Sequence, residues 1–173
     1  MKYSNPEVYI SAVDIQNKIA ELGRRISEDY KDGELTVVSI SNGAMLFTAD
    51  LVRAVTIPMH LDSIMISSYA GTESSGNISL RSEFKLDLSG KDVLIVDEIL
   101  DSGNTLFYTR RKLLEQNPAS LKICVLLNKQ ERRKVDVNAD YVGFEIPDLF
   151  VIGYGMDYKE YFRNLPYIGI YKS

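Results

Sequence analysis

The residues with the clearest chemical potential follow an apolar run of strand length, Val93–Val96. Asp97, Glu98 and Asp101 supply three carboxylates there, and the turn Ser102-Gly103-Asn104-Thr105 comes next. Backbone N–H groups at a helix start, two hydroxyls and a glycine that permits close backbone approach form a phosphate-binding loop. Carboxylates do not face phosphate, and their natural partners are vicinal hydroxyls or a divalent cation. Together the two halves predict a site for a sugar phosphate.

The same segment has a second interpretation, a solvated acidic turn between a strand and a helix. Acidic residues are common near helix starts because they interact favourably with the positive end of the helix dipole. That interpretation does not explain two acids directly after a four-residue apolar run, nor Ser, Gly and Thr in the order of a phosphate loop. We therefore favour a ligand site.

Helix-like and strand-like patterns alternate around this motif. Apolar residues at spacings of four, three and four predict a first amphipathic helix, which begins after Ser11 and ends at Asp32-Gly33. Continuous apolar runs predict strands at residues 35–40, 60–66, 92–96, 121–127 and 141–146, and a loop is expected over 97–104. Two further helices are predicted over 44–55, with Met45, Phe47, Leu51 and Val52 inward, and over 105–116, with Leu106, Leu113 and Leu114 inward.

This alternation, with strands apolar on both faces, predicts an α/β fold with a mostly parallel central sheet flanked by helices. Ligands bind such folds at the carboxyl ends of the strands. We expect a single domain, because neither a repeat nor a linker interrupts the chain. Residues 67–77 are small, polar and rich in Gly and Ser, which predicts a lid or a plain connector, and Tyr69 favours the lid.

The composition bounds the class of protein. The 173 residues include 20 Lys+Arg and 24 Asp+Glu, so the formal net charge is −4. An acidic balance argues against a broad nucleic-acid-binding face. The single cysteine, Cys124, excludes an internal disulfide, and no apolar run approaches the ~20 residues of a membrane helix. We expect a cytoplasmic protein with neither nucleic-acid nor membrane partners.

Several motifs resemble those of a known family. The run from Val93 to Thr105 resembles the phosphoribosyl-pyrophosphate signature of purine phosphoribosyltransferases. Lys129, the Arg132-Arg133 pair and the stretches 140–148, 150–158 and 161–169 are similar to hypoxanthine-guanine phosphoribosyltransferases. The resemblance implies a type I phosphoribosyltransferase fold with a core at about 33–146. It also implies a small hood at about 147–173, joined by the N-terminal residues.

The resemblance implies a reaction and its catalytic centre. Such enzymes move ribose 5-phosphate from phosphoribosyl pyrophosphate to a purine nitrogen, release pyrophosphate and use Mg²⁺. Asp101 would exchange a proton with N7 of the base, and Asp97 and Glu98 would hold the ribose hydroxyls. The residues that would bind the 5-phosphate are Ser102, Gly103, Asn104 and Thr105.

The resemblance also places the base. Lys129 would donate to the 6-oxo group, Phe150 would stack on the ring, and Val151 and Asp157 would complete the purine site. Without the resemblance, a solvated lysine beside Arg132 and Arg133 is the preferred interpretation of Lys129. Phe150 is equally part of a core stripe with Val151 and Ile152.

Pyrophosphate and metal contacts complete the implied site. Pyrophosphate would meet the loop residues Asn42 and Gly43, the lid residues Ser68 and Tyr69, and the guanidinium of Arg163. The implied magnesium ligands are Asp97, Glu98 and Asp157.

Two departures from the family pattern affect these expectations. The family's first loop usually reads Leu-Lys-Gly, with a Lys–Gly bond that is often cis, whereas this chain has Ser41-Asn42-Gly43 and lacks that positive charge. The acidic pair is reversed, because Asp97 precedes Glu98 where Glu then Asp is usual. Pyrophosphate affinity and substrate preference depend on both changes.

Three functions follow from this sequence. The first is a 6-oxopurine phosphoribosyltransferase acting on hypoxanthine, guanine or both, as a homodimer or homotetramer. The second is a regulator that binds phosphoribosyl pyrophosphate or a nucleotide with little catalysis, and the third is a transferase for another base such as xanthine. Asp101 and Lys129 favour an enzyme, because a sensor needs the phosphate loop but no group that exchanges a proton with the base.

Overall fold

The structure is a computed structural model that describes residues 6–68, 78–80 and 85–172. Within these ranges lie nine strands, β1 (Glu7–Ile10), β2 (Leu35–Ser41), β3 (Met59–Ser68), β4 (Ile78–Leu80), β5 (Asp92–Leu100), β6 (Ser120–Asn128), β7 (Tyr141–Glu145), β8 (Val151–Ile152) and β9 (Ile168–Ile170). Its three helices are α1 (Ala12–Asp29), α2 (Met45–Ala54) and α3 (Asn104–Leu114). Across the described ranges, every helix is too short or too polar to span a bilayer.

The central sheet has the strand order β4-β3-β2-β5-β6-β7. Five of these strands, β3, β2, β5, β6 and β7, run parallel, and β4 pairs antiparallel with β3 at one edge. β2 and the first half of β5 are buried on both faces, as their apolar sequences predict. The predicted α/β fold with a parallel sheet is confirmed.

Helices cover both faces of this sheet. Ser11 caps α1 by accepting a hydrogen bond from the Asp14 N–H at 3.1 Å, and the predicted stripe is buried. One core lies between the sheet and the pair α1 and α2, where Phe47 and Leu51 are fully buried. The other core contains Leu106 and Leu113 of α3. The carboxyl ends of the parallel strands therefore stay open between the helix layers.

Three details differ from the sequence-based expectations. β5 continues to Leu100, so Asp97 and Glu98 lie in the strand and not in a loop. Leu114 is exposed, because the inward face of α3 runs through Leu106, Thr109 and Leu113 and the next residue turns about 100° away. Met45 is exposed at the first turn of α2 for the same reason, since Phe47, Thr48 and Leu51 form its buried face.

A smaller antiparallel sheet, with the order β1-β9-β8, joins the two ends of the chain. Lys172 and Glu7 form a 2.6 Å ion pair beside it. The segment after β8 is tied to α2, because the Tyr154 hydroxyl donates a hydrogen bond to Asp50 of that helix. This connection brings the C-terminal segment to the carboxyl ends of β2 and β5.

Candidate active site

A cavity of about 400 Å³ opens at the carboxyl ends of β2 and β5. Most residues singled out from the sequence line it together. They are Asn42, Gly43, Asp97, Glu98, Asp101, Ser102, Gly103, Thr105, Asp157 and Arg163. Apolar side chains from Ile40, Ile66, Ile99, Leu100 and Leu106 complete the wall. Ligands bind parallel sheets at this edge, and the cavity opens where the sequence predicts the site.

The turn between β5 and α3 has the geometry of an anion site. Gly103 has φ 86°, and a Cβ there would lie 2.7 Å from Val137, so only glycine fits. Among the described residues no side chain caps α3, which leaves the N–H groups of its first turn available to a ligand. The Ser102 carbonyl accepts a hydrogen bond from the Lys134 N–H at 2.9 Å, which fixes the turn from behind.

The two consecutive acids lie in different surroundings. Asp97 is buried, and its Oδ1 accepts a 3.0 Å hydrogen bond from the Glu98 N–H. Burial raises the pKa of the Asp97 carboxyl well above its usual range, and the neighbouring Glu98 charge raises it further. The Glu98 carboxylate reaches across to the loop after β2, where a Cβ on Gly43 would lie 1.8 Å from its Oε1.

The loop after β2 has a cis peptide bond between Ser41 and Asn42. The family pattern has this bond between the second and third residues of the loop, which here would be Asn42 and Gly43. The cis bond therefore lies one residue earlier than the resemblance implies. On its other side Gly43 meets the C-terminal segment, because a Cβ on Gly155 would lie 2.0 Å from the Gly43 carbonyl oxygen. Gly43 is thus held between β5 and the segment after β8.

Asp101 faces two cations that follow β6. Its Oδ2 lies 3.7 Å from the Lys129 Nζ, and its Oδ1 lies 3.4 Å from the Arg132 Nε. Lys129 is only 4% exposed, so the interpretation as a solvated lysine is wrong. Its N–H donates to the Leu100 carbonyl at 2.9 Å, which sets the residue beside the end of β5. Asp148 contacts both cations, at 3.9 Å from Lys129 and 3.4 Å from Arg132.

Arg133 fixes the backbone next to the Asp101 side chain. Its Nε donates to the Asp101 carbonyl at 3.2 Å, its Nη2 donates to the Asn128 Oδ1 at 2.7 Å, and its Nη1 donates to the Val137 carbonyl. Sequence reasoning noted the Arg132-Arg133 pair only as part of the resemblance and gave neither residue a role. A role for this pair could have been predicted, because it closely follows β6, whose end lies beside the end of β5 and Asp101.

Asp157 and Arg163 form the opposite wall of the cavity. The Arg163 Nη2 lies 2.8 Å from the Asp157 Oδ1, and its Nη1 donates to the Gly155 carbonyl at 2.7 Å. The second Asp157 oxygen accepts the Glu160 N–H at 2.8 Å. Gly155 has no role in the sequence analysis. Gly153-Tyr154-Gly155 matches only the first part of the glycine motif that binds dinucleotides, and the close approach of Gly155 to Gly43 depends on the tertiary fold.

Phe150 and Val151 lie outside the cavity wall, as do Asn104 and Lys129. Phe150 is 54% exposed and packs edge-on against Tyr158 and Tyr171, at centroid distances of 6.0 and 5.8 Å. The interpretation of Phe150 as a core residue is therefore wrong, although Val151 and Ile152 are buried. The structure describes only the backbone of Ser68, as part of β3. The predictions for the Ser68 side chain, for Tyr69 and for a lid around them lie outside the described residues.

The donor groups around the cavity limit what cation could bind. No cluster of three or more His, Cys, Asp or Glu side chains suited to a metal occurs within the described part of the chain. Asp97 and Glu98 are adjacent, whereas Asp157 is already paired with Arg163. Mg²⁺ binds through one or two carboxylates plus substrate phosphates, so this donor set fits an ion shared with a phosphorylated ligand better than one held by protein alone.

Comparison with known proteins gives a consistent result. The family model described as "Phosphoribosyl transferase domain" matches residues 11–159. Hypoxanthine phosphoribosyltransferase from Salmonella typhimurium is 47% identical over 166 residues, covering 94% of this chain and 93% of that protein. Hypoxanthine-guanine phosphoribosyltransferase from Staphylococcus epidermidis is 45% identical over 167 residues, covering 96% and 93%. The crystal structure of a Bacillus anthracis hypoxanthine-guanine phosphoribosyltransferase superposes with a TM-score of 0.93 at 39% identity, covering 98% of this chain and 100% of that one.

Proposed function

Because this chain belongs to the type I phosphoribosyltransferase family, on its hypoxanthine-guanine branch, we propose that it salvages 6-oxopurines. It transfers the 5-phosphoribosyl group of phosphoribosyl pyrophosphate to hypoxanthine or guanine and releases pyrophosphate. One observation carries this proposal: a single cavity brings together the phosphate turn, the acid pair, Asp101 and Arg163. That set has a partner for the 5-phosphate, for the ribose hydroxyls, for the N7 proton of the base and for pyrophosphate.

The sugar phosphate would occupy the β5 side of the cavity. The turn Ser102-Gly103-Asn104-Thr105 offers uncapped N–H groups to the 5-phosphate, and Asp97 and Glu98 accept hydrogen bonds from the ribose hydroxyls. Positive charge develops at the anomeric carbon as pyrophosphate leaves, and carboxylates in a water-poor site stabilise it. Bound Mg²⁺ would neutralise pyrophosphate charge, with Asp97, Glu98 and Asp157 as its candidate ligands.

The base would meet Asp101 and Lys129. Asp101 exchanges a proton with N7 of the purine, and the Lys129 ammonium, held 3.7 Å from the Asp101 Oδ2, donates to the 6-oxo oxygen. An ammonium has donors and no acceptor, so it pairs with an oxo group and leaves an amino group at the same position unsatisfied. This chemistry favours hypoxanthine and guanine over adenine. It also favours an enzyme over a regulator that only binds nucleotide.

The remaining contacts lie on the side of the C-terminal segment. The exposed ring of Phe150 is available to stack on a purine, and we assign Val151 and Asp157 to the same purine site. Asn42, Gly43 and Arg163 form the pyrophosphate side, which Ser68 and Tyr69 would cover. We assign residues 147–173, with the N-terminal residues, to a hood over a core of about residues 33–146.

The wider setting of the protein follows from the same proposal. A buried free thiol at Cys124 is compatible with a reducing compartment, and we place the enzyme in the cytoplasm. We further propose a homodimer or homotetramer, in keeping with the family resemblance. Its partners are small molecules, namely phosphoribosyl pyrophosphate and a 6-oxopurine.

A spectrophotometric assay tests this function directly. The protein is mixed with phosphoribosyl pyrophosphate and Mg²⁺, and hypoxanthine, guanine, xanthine, adenine and uracil are compared as acceptors. We expect turnover with hypoxanthine or guanine, and none with adenine or uracil. Nucleotide binding without turnover of any base would replace the enzyme with the regulator, and turnover of xanthine alone would move the assignment to a different base.

A further inference from the structure

Four side chains beside the cavity form a ring of alternating charge, which we call the charge ring. Its members in order are Asp101, Lys129, Asp148 and Arg132. The two Lys129 contacts are 3.7 Å to Asp101 and 3.9 Å to Asp148. The two Arg132 contacts are 3.4 Å each, to Asp101 and to Asp148. Each acid therefore has two cations, and each cation has two acids.

The position of Lys129 within the ring is balanced. Coulomb attraction varies as the inverse of distance, so 3.7 Å and 3.9 Å differ by about 5% in energy at equal dielectric constant. Both distances exceed that of a hydrogen bond. The ammonium is thus neutralised on two sides without committing its N–H donors to either carboxylate, although its side chain is only 5% exposed.

The outer two members of the ring have a different character. Arg132 and Asp148 are about half exposed, and of the described residues neither is part of the cavity wall. They form a hydrogen bond with each other, from the Arg132 Nη1 to the Asp148 Oδ1 at 3.4 Å. An exposed ion pair of this kind adds little to stability.

We propose that Arg132 and Asp148 are positioning residues that keep Lys129 and Asp101 apart, so that Lys129 can donate to the base while Asp101 exchanges its proton. This inference rests on the proposed function and adds two residues to the reaction that have no role in the sequence analysis and do not line the cavity. Asp148 holds the ammonium back from Asp101, and Arg132 gives Asp101 a second cation. Arg133 does not share this role, because it contacts the Asp101 carbonyl and not its carboxylate.

Removing either outer charge should make the inner pair contract. In Asp148→Asn, Lys129 has one carboxylate left, and in Arg132→Gln, Asp101 has one cation left. In both variants the 3.7 Å contact would close to a charge-assisted hydrogen bond, which is shorter and stronger. That bond would occupy the Lys129 N–H that donates to the 6-oxo group of the base. It would also occupy the Asp101 carboxylate that exchanges the N7 proton.

The test is steady-state kinetics of Asp148→Asn and Arg132→Gln, with the KM of hypoxanthine and of phosphoribosyl pyrophosphate measured separately. We expect the KM of hypoxanthine to rise about tenfold in each variant, as for one charged hydrogen bond, with a lower kcat. The KM of phosphoribosyl pyrophosphate should stay within about twofold, because neither Arg132 nor Asp148 lines the cavity. Asp148→Glu and Arg132→Lys keep the charges and should restore most of the hypoxanthine KM.

Glu131→Gln is the matched control, because it removes an exposed charge beside Arg132 that is not part of the ring. It should match the wild type in both KM values. The inference is overturned if both ring variants keep the wild-type hypoxanthine KM and kcat. It is also overturned if both KM values rise together with a lower melting temperature, which would indicate a structural role. Wild-type protein that turns over no base would instead refute the proposed function, and this inference with it.

Discussion

At the scale of single residues, the surroundings of Asp101 decide what it can do. Along the chain its neighbours are the acids Asp97 and Glu98, but in space its carboxylate faces Lys129 and Arg132. Its Oδ1 is buried and has no hydrogen-bond partner among the described residues. A buried oxygen in that position is available to a proton on a bound base, and the two cations keep its charge compensated until the base arrives.

Replacing Asp101 with Asn removes the proton acceptor and keeps the shape of the side chain. We expect turnover with hypoxanthine to fall by roughly 10²-fold or more, which is the range of general acid–base catalysis. Binding of the product nucleotide, measured by calorimetry, should change far less. A variant that retains near wild-type turnover would exclude Asp101 from proton exchange.

Asn42 lines the cavity where the family usually has lysine, so the pyrophosphate side carries one charge fewer. Replacing Asn42 with Lys should lower the inhibition constant of pyrophosphate several-fold, and added salt should weaken this gain. Asn42→Gln serves as the control, because it lengthens the side chain without adding charge. An inhibition constant that is equal in all three proteins would mean that the loop binds pyrophosphate through its backbone.

At the scale of elements, the site is a junction of three segments that are distant in sequence. The loop after β2 supplies Gly43, β5 supplies Glu98, and the segment after β8 supplies Gly155. The sequence was sufficient to predict the β5 motif and the parallel sheet, because both are local patterns. It did not predict the contact of Gly155 with Gly43 or the placing of Arg132 against Asp101, because those depend on how the segments pack.

The close packing at Gly43 gives a sharp prediction. In Gly43→Ala the new methyl group would lie 1.8 Å from the Glu98 Oε1, so the carboxylate must move. We expect kcat/KM for phosphoribosyl pyrophosphate to fall roughly 10- to 100-fold, as for a misplaced catalytic group. In the control Gly33→Ala the new Cβ has only the Asp92 Oδ2 within reach, at 3.9 Å, and activity should not change. Equal kinetics in the two variants would show that Glu98 does not need its observed position.

At the scale of the whole molecule, the net charge of −4 belongs to a protein whose proposed substrates are polyanions. The phosphate turn resolves this conflict, because backbone N–H groups bind phosphate without net positive charge. The acids also have assigned partners: Asp29 and Asp50 accept hydrogen bonds from the buried tyrosines Tyr141 and Tyr154. Such bonds tie α1 to β7 and α2 to the segment after β8, so part of the negative charge stabilises the packing of the elements.

These tyrosines predict how stability depends on alkaline pH. Burial raises the pKa of Tyr30 to about 12, and burial together with the bonds to Asp50 and Asp29 raises the pKa of Tyr154 and of Tyr141. A raised pKa in the folded state means that the stabilisation is complete below the unfolded value, about 10, and is lost as pH rises through the folded value. The free energy of unfolding in urea should therefore fall above pH 10, by about 1.4 kcal/mol per pH unit for each such tyrosine.

Tyr30→Phe separates this effect from the titration of other groups. The Tyr30 hydroxyl is buried without a hydrogen-bond partner within the described ranges, so its removal should cost nothing at neutral pH. The variant should lose less stability than the wild type between pH 10 and 12. An identical loss in both proteins would assign the alkaline effect to other residues.

The pairing of β1 with β9 has a consequence for the order in which the protein is made. A ribosome makes β1 before the other described strands, yet the sheet partner of Glu7–Ile10 is Ile168–Ile170, the last strand within the described ranges. The parallel sheet can assemble earlier, since β2 to β7 all precede residue 146. Asp157, Arg163 and Gly155 emerge only afterwards. A nascent chain would therefore acquire its sheet before its catalytic cavity, and a chain cut short in translation would hold the phosphate turn but not the wall that completes the site.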